Sequence, residues 1–414
     1  MSATTSVAID FSDPAIRANP HPVYKRLREE SPVVWNEVTR SWVVSRYDDV
    51  VALFTNPAMS SARADAIFAT LTDEQREELA PMRSILSGRM LLTDPPEHTR
   101  LKNLVMKAFS ARSTEVRRER IRELCDGFLD AVVERGELDV IHDLAEPLPS
   151  WVIAEMVGVP QPDQATFSRW ARDQVRVYDR PGTVHDRVGV MRQGQASMLE
   201  MKAYLEDIIE ERRREPREDL ITELIRAEEA GDRLSTDEMF AMVVALLVGG
   251  NNSTAHLIGN AALTLLRHPD VIERLRTDPG LIRGVIEETL RWESPVQATS
   301  RVVHGEVEIG GQVLRDGEMV HLLIGSANRD ESQFADPDPD TFAPERHPNR
   351  HLTFAHGPHF CLGSSVARAT AGTAILALVD RCPGLRPATD APPAWQEGFS
   401  FRSVTILPVR FDLT

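Results

Sequence analysis

The residues with the clearest chemical potential stand together near the C-terminus, in Phe354-Ala355-His356-Gly357-Pro358-His359-Phe360-Cys361-Leu362-Gly363. Glycines on both sides of Cys361 permit a tight turn, and backbone N–H groups in such a turn converge on the sulfur. A helix expected from about 364 to 380 directs its positive end at the same place. Both effects favour thiolate over thiol, the form that a metal ligand or a nucleophile requires. Three chemistries compete for such a sulfur. Zinc is one, because His347, His351, His356 and His359 put four of the twelve histidines within thirteen residues. Pro348 breaks the helical spacing of His347 and His351, however, and no second cysteine lies nearby. A covalent nucleophile is another, and needs a base and an orienting group that one sequence does not place. The third is axial ligation of haem iron, where thiolate pushes electron density towards O–O cleavage. The loop by itself leaves all three open.

The rest of the chain must position that loop. Its 414 residues carry 47 basic and 63 acidic side chains, a net charge of −16, with 42% apolar and 27% charged residues. Such a composition excludes a disordered or membrane-dominated chain and argues against whole-molecule nucleic-acid binding. Cys125 and Cys382, the other two cysteines, read as inert core, and three scattered cysteines make no disulfide framework. Met1 to Pro14 has neither a basic start nor an apolar run, so no signal peptide is expected. Met239 to Leu266 holds no Lys, Arg, Asp or Glu, yet its centre, Gly249-Gly250-Asn251-Asn252-Ser253-Thr254, is polar where hydrocarbon tolerates it least. A long helix buried in protein fits better than a membrane span.

Val33-Val34-Trp35 and Trp42-Val43-Val44 read as a hairpin, and Tyr24–Glu30 and Tyr47–Phe54 as helices. Residues 60–89 read as a variable loop with a helical piece at Asp73–Leu79. Leu101, Leu104, Val105, Ala108 and Phe109 mark one amphipathic helix, and Ile121, Leu124, Phe128, Leu129 and Val132 mark another, ended by Gly136. Further helices are expected at 163–177, 187–213, 218–229, 236–267, 269–276 and 280–293. Ser235 with Glu238 makes a capping box for the long one. Period-two patterning from 301 to 324, with turns at Gly310-Gly311 and Asp316-Gly317, predicts a small sheet, and Val404–Leu407 a closing strand. The fold class is therefore mainly α with small β-sheets, in one domain over 1–414.

With these elements in view, the cysteine segment resembles the haem-binding signature FxxGxxxCxG of the cytochrome P450 family, with every fixed position matched. Asn19-Pro20-His21-Pro22-Val23-Tyr24 looks like the start of bacterial members. Leu92-Thr93-Asp94-Pro95-Pro96-Glu97-His98-Thr99-Arg100 looks like the family's entry to a helix, and Glu288-Thr289-Leu290-Arg291 matches its ExxR motif. Ala327-Asn328-Arg329-Asp330 precedes the cysteine loop in the expected order. The resemblance implies a single triangular fold with haem b (iron protoporphyrin IX) between the long central helix and the helix after the cysteine.

By that resemblance Cys361 is the iron ligand, Phe354 shields its sulfur, and Glu288 with Arg291 forms a buried pair supporting the loop. His98, Lys102, Arg301 and His359 are the expected partners of the haem propionates; many relatives have arginine where Lys102 stands. The substrate pocket is expected to draw on Leu91, Leu247, Val248, Gly249, Asn251, Val296, Gln297, Thr299 and Phe401. The family commonly places an acid and an alcohol at the positions of Asn252 and Ser253 to relay protons during oxygen activation. Asn252 cannot exchange protons as a carboxylate can, which leaves water, substrate, Ser253 or Thr254 to deliver them. The two mid-helix glycines cost about 2 kcal/mol against alanine, so they imply either an oxygen-admitting groove or close helix packing.

The implied function is a soluble cytoplasmic monooxygenase acting on a mid-sized organic molecule, a secondary metabolite or xenobiotic. Its alternatives are a peroxygenase or an oxidative coupling or cyclisation enzyme, on account of Asn252, and a non-catalytic haem-based ligand sensor. Electrons are expected from NAD(P)H through ferredoxin reductase and ferredoxin, with no membrane or nucleic-acid partner, the protein acting as a monomer. Residues 98–122 hold Arg100, Lys102, Lys107, Arg112, Arg117, Arg118, Arg120 and Arg122 against Glu115 and Glu119, a balance of +6. That segment is either a docking surface for an acidic partner or an ordinary solvated helix pair.

Overall fold

Valine and tryptophan at facing positions build the first hairpin: Val33–Asn36 pairs antiparallel with Ser41–Val44, Val33 opposite Val44 and Trp35 opposite Trp42. It enlarges into a six-stranded sheet in the order Ser6–Val7, Val33–Asn36, Ser41–Val44, Met319–Leu322, Thr299–Val303 and Met59–Ser60. The computed structural model describes residues 6–69, 71–108, 118–177, 186–229 and 235–413. Arg301 lies opposite Val320 in this sheet, so the strand fixes where its side chain begins. Val44, Val50, Leu53, Val303, Val320 and Leu322 pack at the sheet's core, each at most 1% exposed. Glu306–Ile309 and Gln312–Arg315 form a separate hairpin whose Gly310 and Gly311 take φ +55° and +73°, the left-handed pair that such a turn requires.

Contacts divide the chain into two compact units: Met1–Ser60, Arg122–Ala145 and Ser253–Thr414 in the first, Ser61–Ile121 and Glu146–Asn252 in the second. Both are discontinuous in sequence. The first holds the sheets and the helices Ile282–Trp292 and Ser364–Arg381. The second is helical, with Glu97–Ala108, Pro147–Val157, Gln164–Arg176, Arg187–Arg214 and Leu220–Glu229. Its core is rich in methionine: Met82, Met191, Met198, Met201, Met239 and Met242 are all at most 1% exposed, and unbranched thioethers fill irregular gaps between helices.

The long helix runs Thr236–Arg267 and opens on the expected capping box, Glu238 N–H donating to Ser235 Oγ at 3.1 Å and Ser235 N–H to Glu238 Oε2 at 2.6 Å. By length and composition it is apolar enough to cross a membrane, with a mean hydropathy of 1.3, but 61% of that stretch is buried in protein.

Three expectations change. Residues 60–89 are largely helical, as Ala64–Phe68, Asp73–Glu78 and Ala80–Ser87, the second under a Thr72/Gln75 capping box. The closing strand is Pro408–Arg410, paired with Glu137–Asp139, rather than Val404–Leu407. Asp139 Oδ1 takes the Leu407 N–H at 3.0 Å and ends the ladder there. The helix before Gly136 stops at Asp130 and a short 3-10 turn, Val133–Arg135, carries the chain on to Gly136.

Helix Ile282–Trp292 approaches another backbone closely at Gly284, where a Cβ would lie 2.1 Å from the Pro344 carbonyl oxygen. Gly284→Ala is therefore expected to cost about 1–3 kcal/mol, the usual range for overpacking. A urea midpoint equal to that of the unaltered protein would contradict this.

Candidate active site

Cys361 ends a loop closed by its own N–H, which donates to the Phe354 carbonyl at 2.9 Å. Inside the loop Ala355 N–H donates to Leu352 O at 2.7 Å and Phe360 N–H to Gly357 O at 3.0 Å. Gly357 sits at φ +70°, and a Cβ there would press on Thr55 Cγ2 at 3.1 Å and Phe54 O at 3.2 Å, so conformation and packing both require glycine. Gly363 is the N-cap of Ser364–Arg381 and has no side chain to cap it, so the helix directs its positive end at the segment that carries Cys361. Cys361 is partly open, whereas Cys125 and Cys382 are 0% exposed. Burial pushes those two thiols up, to about 12 and about 11. Only Cys361 stands in surroundings suited to thiolate chemistry. Among the described residues no three His, Cys, Asp or Glu side chains are placed together to hold a metal ion.

The loop hangs on a buried network in the same unit. Glu288 and Arg291 have side chains 0% exposed and pair in bidentate fashion at 2.6 and 2.8 Å. Arg291 also donates to the carbonyls of Asn328, Pro339 and Thr341 at 3.1, 2.8 and 3.0 Å. Glu288 also accepts from Ala343 N–H, Arg346 Nε and Asn349 Nδ2 at 3.0, 3.1 and 3.0 Å. Arg346 and Asn349 were not foreseen from sequence; the only signal was an arginine after Pro344-Glu345, in a loop too ordered in composition to be idle. Asn328 Oδ1 takes the Leu352 N–H at 2.7 Å and its Nδ2 reaches Thr353 Oγ1 at 2.9 Å, tying the loop's start to this network.

Beside it, Glu287 holds Arg368 at 2.5 and 3.0 Å and His351 Nε2 at 3.1 Å. Burial works to raise the Glu287 carboxyl, but the His351 and Arg368 hydrogen bonds and the Arg368 charge overcome it and hold it at about 2. A carboxylate depressed in the folded state contributes stability above its unfolded value of about 4.3, and loses it as pH falls towards the folded value. Glu287→Gln is thus expected to flatten the fall in urea midpoint between about pH 5 and pH 3. An unchanged slope would count against it.

Of the expected propionate partners, Arg301 is 4% exposed. Its guanidinium carbon lies 5.5 Å from the Phe54 ring centroid, and Nη1 donates to Ser300 O at 2.8 Å. His359 is partly buried in the turn Gly357–His359. In the second unit, His98 is 2% exposed and Lys102 partly exposed, four residues apart on Glu97–Ala108 and so on one face. In the basic segment, Arg100 pairs with Glu97 and Glu238, Arg120 with Glu155, and Arg122 with Asp126 and Asp380. Much of its excess charge is thereby neutralised. Phe109, Arg112, Glu115 and Arg117 lie outside the described residues.

The long helix has two unlike faces at its centre. Leu247, Asn251 and Thr254 are at most 4% exposed, while Ala245, Leu246, Val248, Gly249, Asn252 and Ser253 are open to varying degree. A Cβ on Gly249 would meet nothing within 4 Å; on Gly250 it would lie 2.6 Å from Ile153 Cδ1. One glycine leaves space and the other permits close packing. Asn251, expected to contact substrate, accepts from Ser150 Oγ at 2.8 Å through its Oδ1. Gln297 accepts from Tyr24 Oη at 3.0 Å and donates to Ser294 O at 2.7 Å. Val296 bridges to Phe401, whose ring stands 5.9 Å from His256, Thr299 is partly buried, and Leu91 is 46% exposed. His256 itself was not foreseen: burial lowers it to about 4, so the ring is neutral.

Within the first unit, one soft sulfur donor on a glycine-bounded turn, with Arg301 and His359 as cationic or hydrogen-bonding side chains, suits an iron porphyrin with two carboxylates. When bound, that group supplies the iron at which dioxygen is activated. The fold and this donor set define a haem-thiolate oxidoreductase. The family model for cytochrome P450 matches residues 17–279 and 280–408. Cytochrome P450 107B1 of Saccharopolyspora erythraea is 40% identical over 406 residues, 96% of each chain. Cytochrome P450 monooxygenase PikC of Streptomyces venezuelae is 37% identical, over 95% of this chain and 91% of that one. Among solved structures, P450BioI in complex with an acyl carrier protein ligated to hexadec-9Z-enoic acid aligns with a TM-score of 0.87 at 34% identity, over 96% of this chain and 100% of that one. The chain belongs to the cytochrome P450 family. It is an oxidising enzyme of the monooxygenase class, which sets aside the ligand-sensor alternative.

Proposed function

We propose that this chain oxidises a mid-sized organic molecule, a secondary metabolite or xenobiotic, at a haem b ligated by Cys361. The observation that carries the reading is the partly open Cys361 on its glycine-bounded turn, two residues before the N-cap glycine of Ser364–Arg381. Arg301, His359, His98 and Lys102 hold the propionates, since buried carboxylates need cationic or hydrogen-bonding partners. Lys102 keeps the charge that arginine would bring but forgoes the bidentate fork. Residues 1–414 act as one catalytic domain, in the cytoplasm and as a monomer. Electrons come from NAD(P)H through ferredoxin reductase and ferredoxin.

In this reading Leu91, Leu247, Val248, Gly249, Asn251, Val296, Gln297, Thr299 and Phe401 contact the substrate, and Thr254 joins Asn252 and Ser253 in proton delivery. Asn252 and Ser253, on the open helix face, order water or a polar substrate group rather than passing protons through a carboxylate. That position supports a second reading, a peroxide-driven or oxidative coupling reaction on the same scaffold. The likeness to PikC, named a monooxygenase, supports oxygen insertion.

The test is spectroscopic, then chemical. The haem-loaded protein, reduced under carbon monoxide, is expected to show the Soret band characteristic of thiolate ligation; haem retained without that band would falsify the reading. Substrates that shift the ferric spin state are then turned over with dioxygen and ferredoxin partners, or with peroxide alone. Faster turnover with peroxide, or coupled products free of added oxygen, selects the second reading.

A further inference from the structure

Phe354 touches more than the cysteine turn. The Arg368 guanidinium carbon lies 4.4 Å from its ring centroid, and the His351 ring 5.7 Å away. Both are held by Glu287, which gives Oε1 to Arg368 at 2.5 Å and Oε2 to His351 at 3.1 Å. Phe354 in turn accepts the Cys361 N–H. These residues come from three elements. Glu287 stands on Ile282–Trp292 beside the buried Glu288, His351 precedes the cysteine loop, and Arg368 follows it in the second turn of Ser364–Arg381. One carboxylate therefore grips both flanks of the loop.

We propose that Glu287, His351 and Arg368 form a clamp on Phe354 that positions the Cys361 sulfur. This rests on reading Cys361 as the iron ligand. The three are positioning residues, and none touches the reacting atoms.

Stability alone does not account for the arrangement. The Arg368 and Glu287 side chains are 35% and 22% exposed, so solvent screens part of their attraction. His351 is 3% exposed at its side chain, and its Nδ1 is buried without a hydrogen-bond partner among the described residues. Burial lowers its basicity, so the neutral ring donates from Nε2 to Glu287. The clamp then carries one negative and one positive charge. It sets the place of the Phe354 ring without adding net charge near the sulfur. A cation over an aromatic face is directional, which suits a device that fixes a ring.

The experiment uses the haem-loaded enzyme and its variants Glu287→Gln, Arg368→Met and Arg368→Lys. The thiolate band of the reduced carbon monoxide complex is followed with time, below the unfolding temperature, with far-ultraviolet circular dichroism in parallel. Glu287→Gln and Arg368→Met are expected to lose the band at least about tenfold faster at constant helix signal. Arg368→Lys, which keeps the cation, is expected to fall between them and the unaltered enzyme. Loss of the band at the unaltered rate overturns the clamp, as does loss in step with helix content. If the unaltered enzyme lacks the band, Cys361 is not the ligand and both readings fall. A normal band that the variants leave untouched removes the clamp alone.

Discussion

Replacing Cys361 by serine is expected to abolish the thiolate band and lower oxidative turnover by more than about a hundredfold, roughly 2.7 kcal/mol of barrier, while helix content stays unchanged. The reasoning separates chemistry from folding. Cys361 is partly open and is not among the buried core residues described, so serine removes little core packing. The loop is held from elsewhere, by the Cys361 N–H on Phe354 and by Asn328 on Leu352 and Thr353, and these contacts do not involve the sulfur. Serine keeps the small side chain and loses the soft, readily ionised donor. The same change at Cys125 or Cys382 puts a hydroxyl into a site with 0% exposure and is expected to lower stability without touching the band. A Cys361→Ser protein that retained the thiolate band would end the assignment.

Arg291→Ala carries the second large effect, and it falls on folding. Removing one member of a buried ion pair costs about 3–5 kcal/mol, because the partner is left charged in a dry site. Glu288 would keep Arg346 and Asn349, but the carbonyls of Asn328, Pro339 and Thr341 would lose their shared donor. Against a typical total of 5–15 kcal/mol, the variant is expected to express poorly and to recover little folded protein. Arg76, which pairs with Asp73 at 3.1 Å on an exposed helix, supplies the comparison. Its alanine variant is expected to shift the urea midpoint by no more than the 0–1 kcal/mol of a surface pair. Equal effects at the two positions would show that burial is not what gives the Glu288–Arg291 pair its weight.

What could be read in advance was local. The Val33–Val44 hairpin, the Ser235/Glu238 cap and the turn at Gly310-Gly311 each depend on a few adjacent residues, and each formed where the pattern put it. The cysteine turn is legible for the same reason. Helix Pro147–Val157 escaped notice because eight of its eleven residues are buried, which leaves no periodic contrast to detect. Arg346 and Asn349 reach Glu288 across 58 and 61 residues, and no spacing rule covers that distance. The hydrogen bonds of Asn251 and Gln297 were hidden in the same way: their partners, Ser150 and Tyr24, lie 101 and 273 residues off. On a helix without charges, sequence alone does not tell the face that opens from the face that packs.

The unequal pair Gly249-Gly250 has a practical side. Position 250 is closed to substitution unless Ile153 gives way, whereas a Cβ at position 249 meets no protein atom within 4 Å. Alanine there gains about 1 kcal/mol of helix propensity, and larger residues project from a rigid rod rather than a loop. With the pocket proposed above, residue 249 is the position that tunes which molecules are accepted, one side chain at a time and without rebuilding the scaffold.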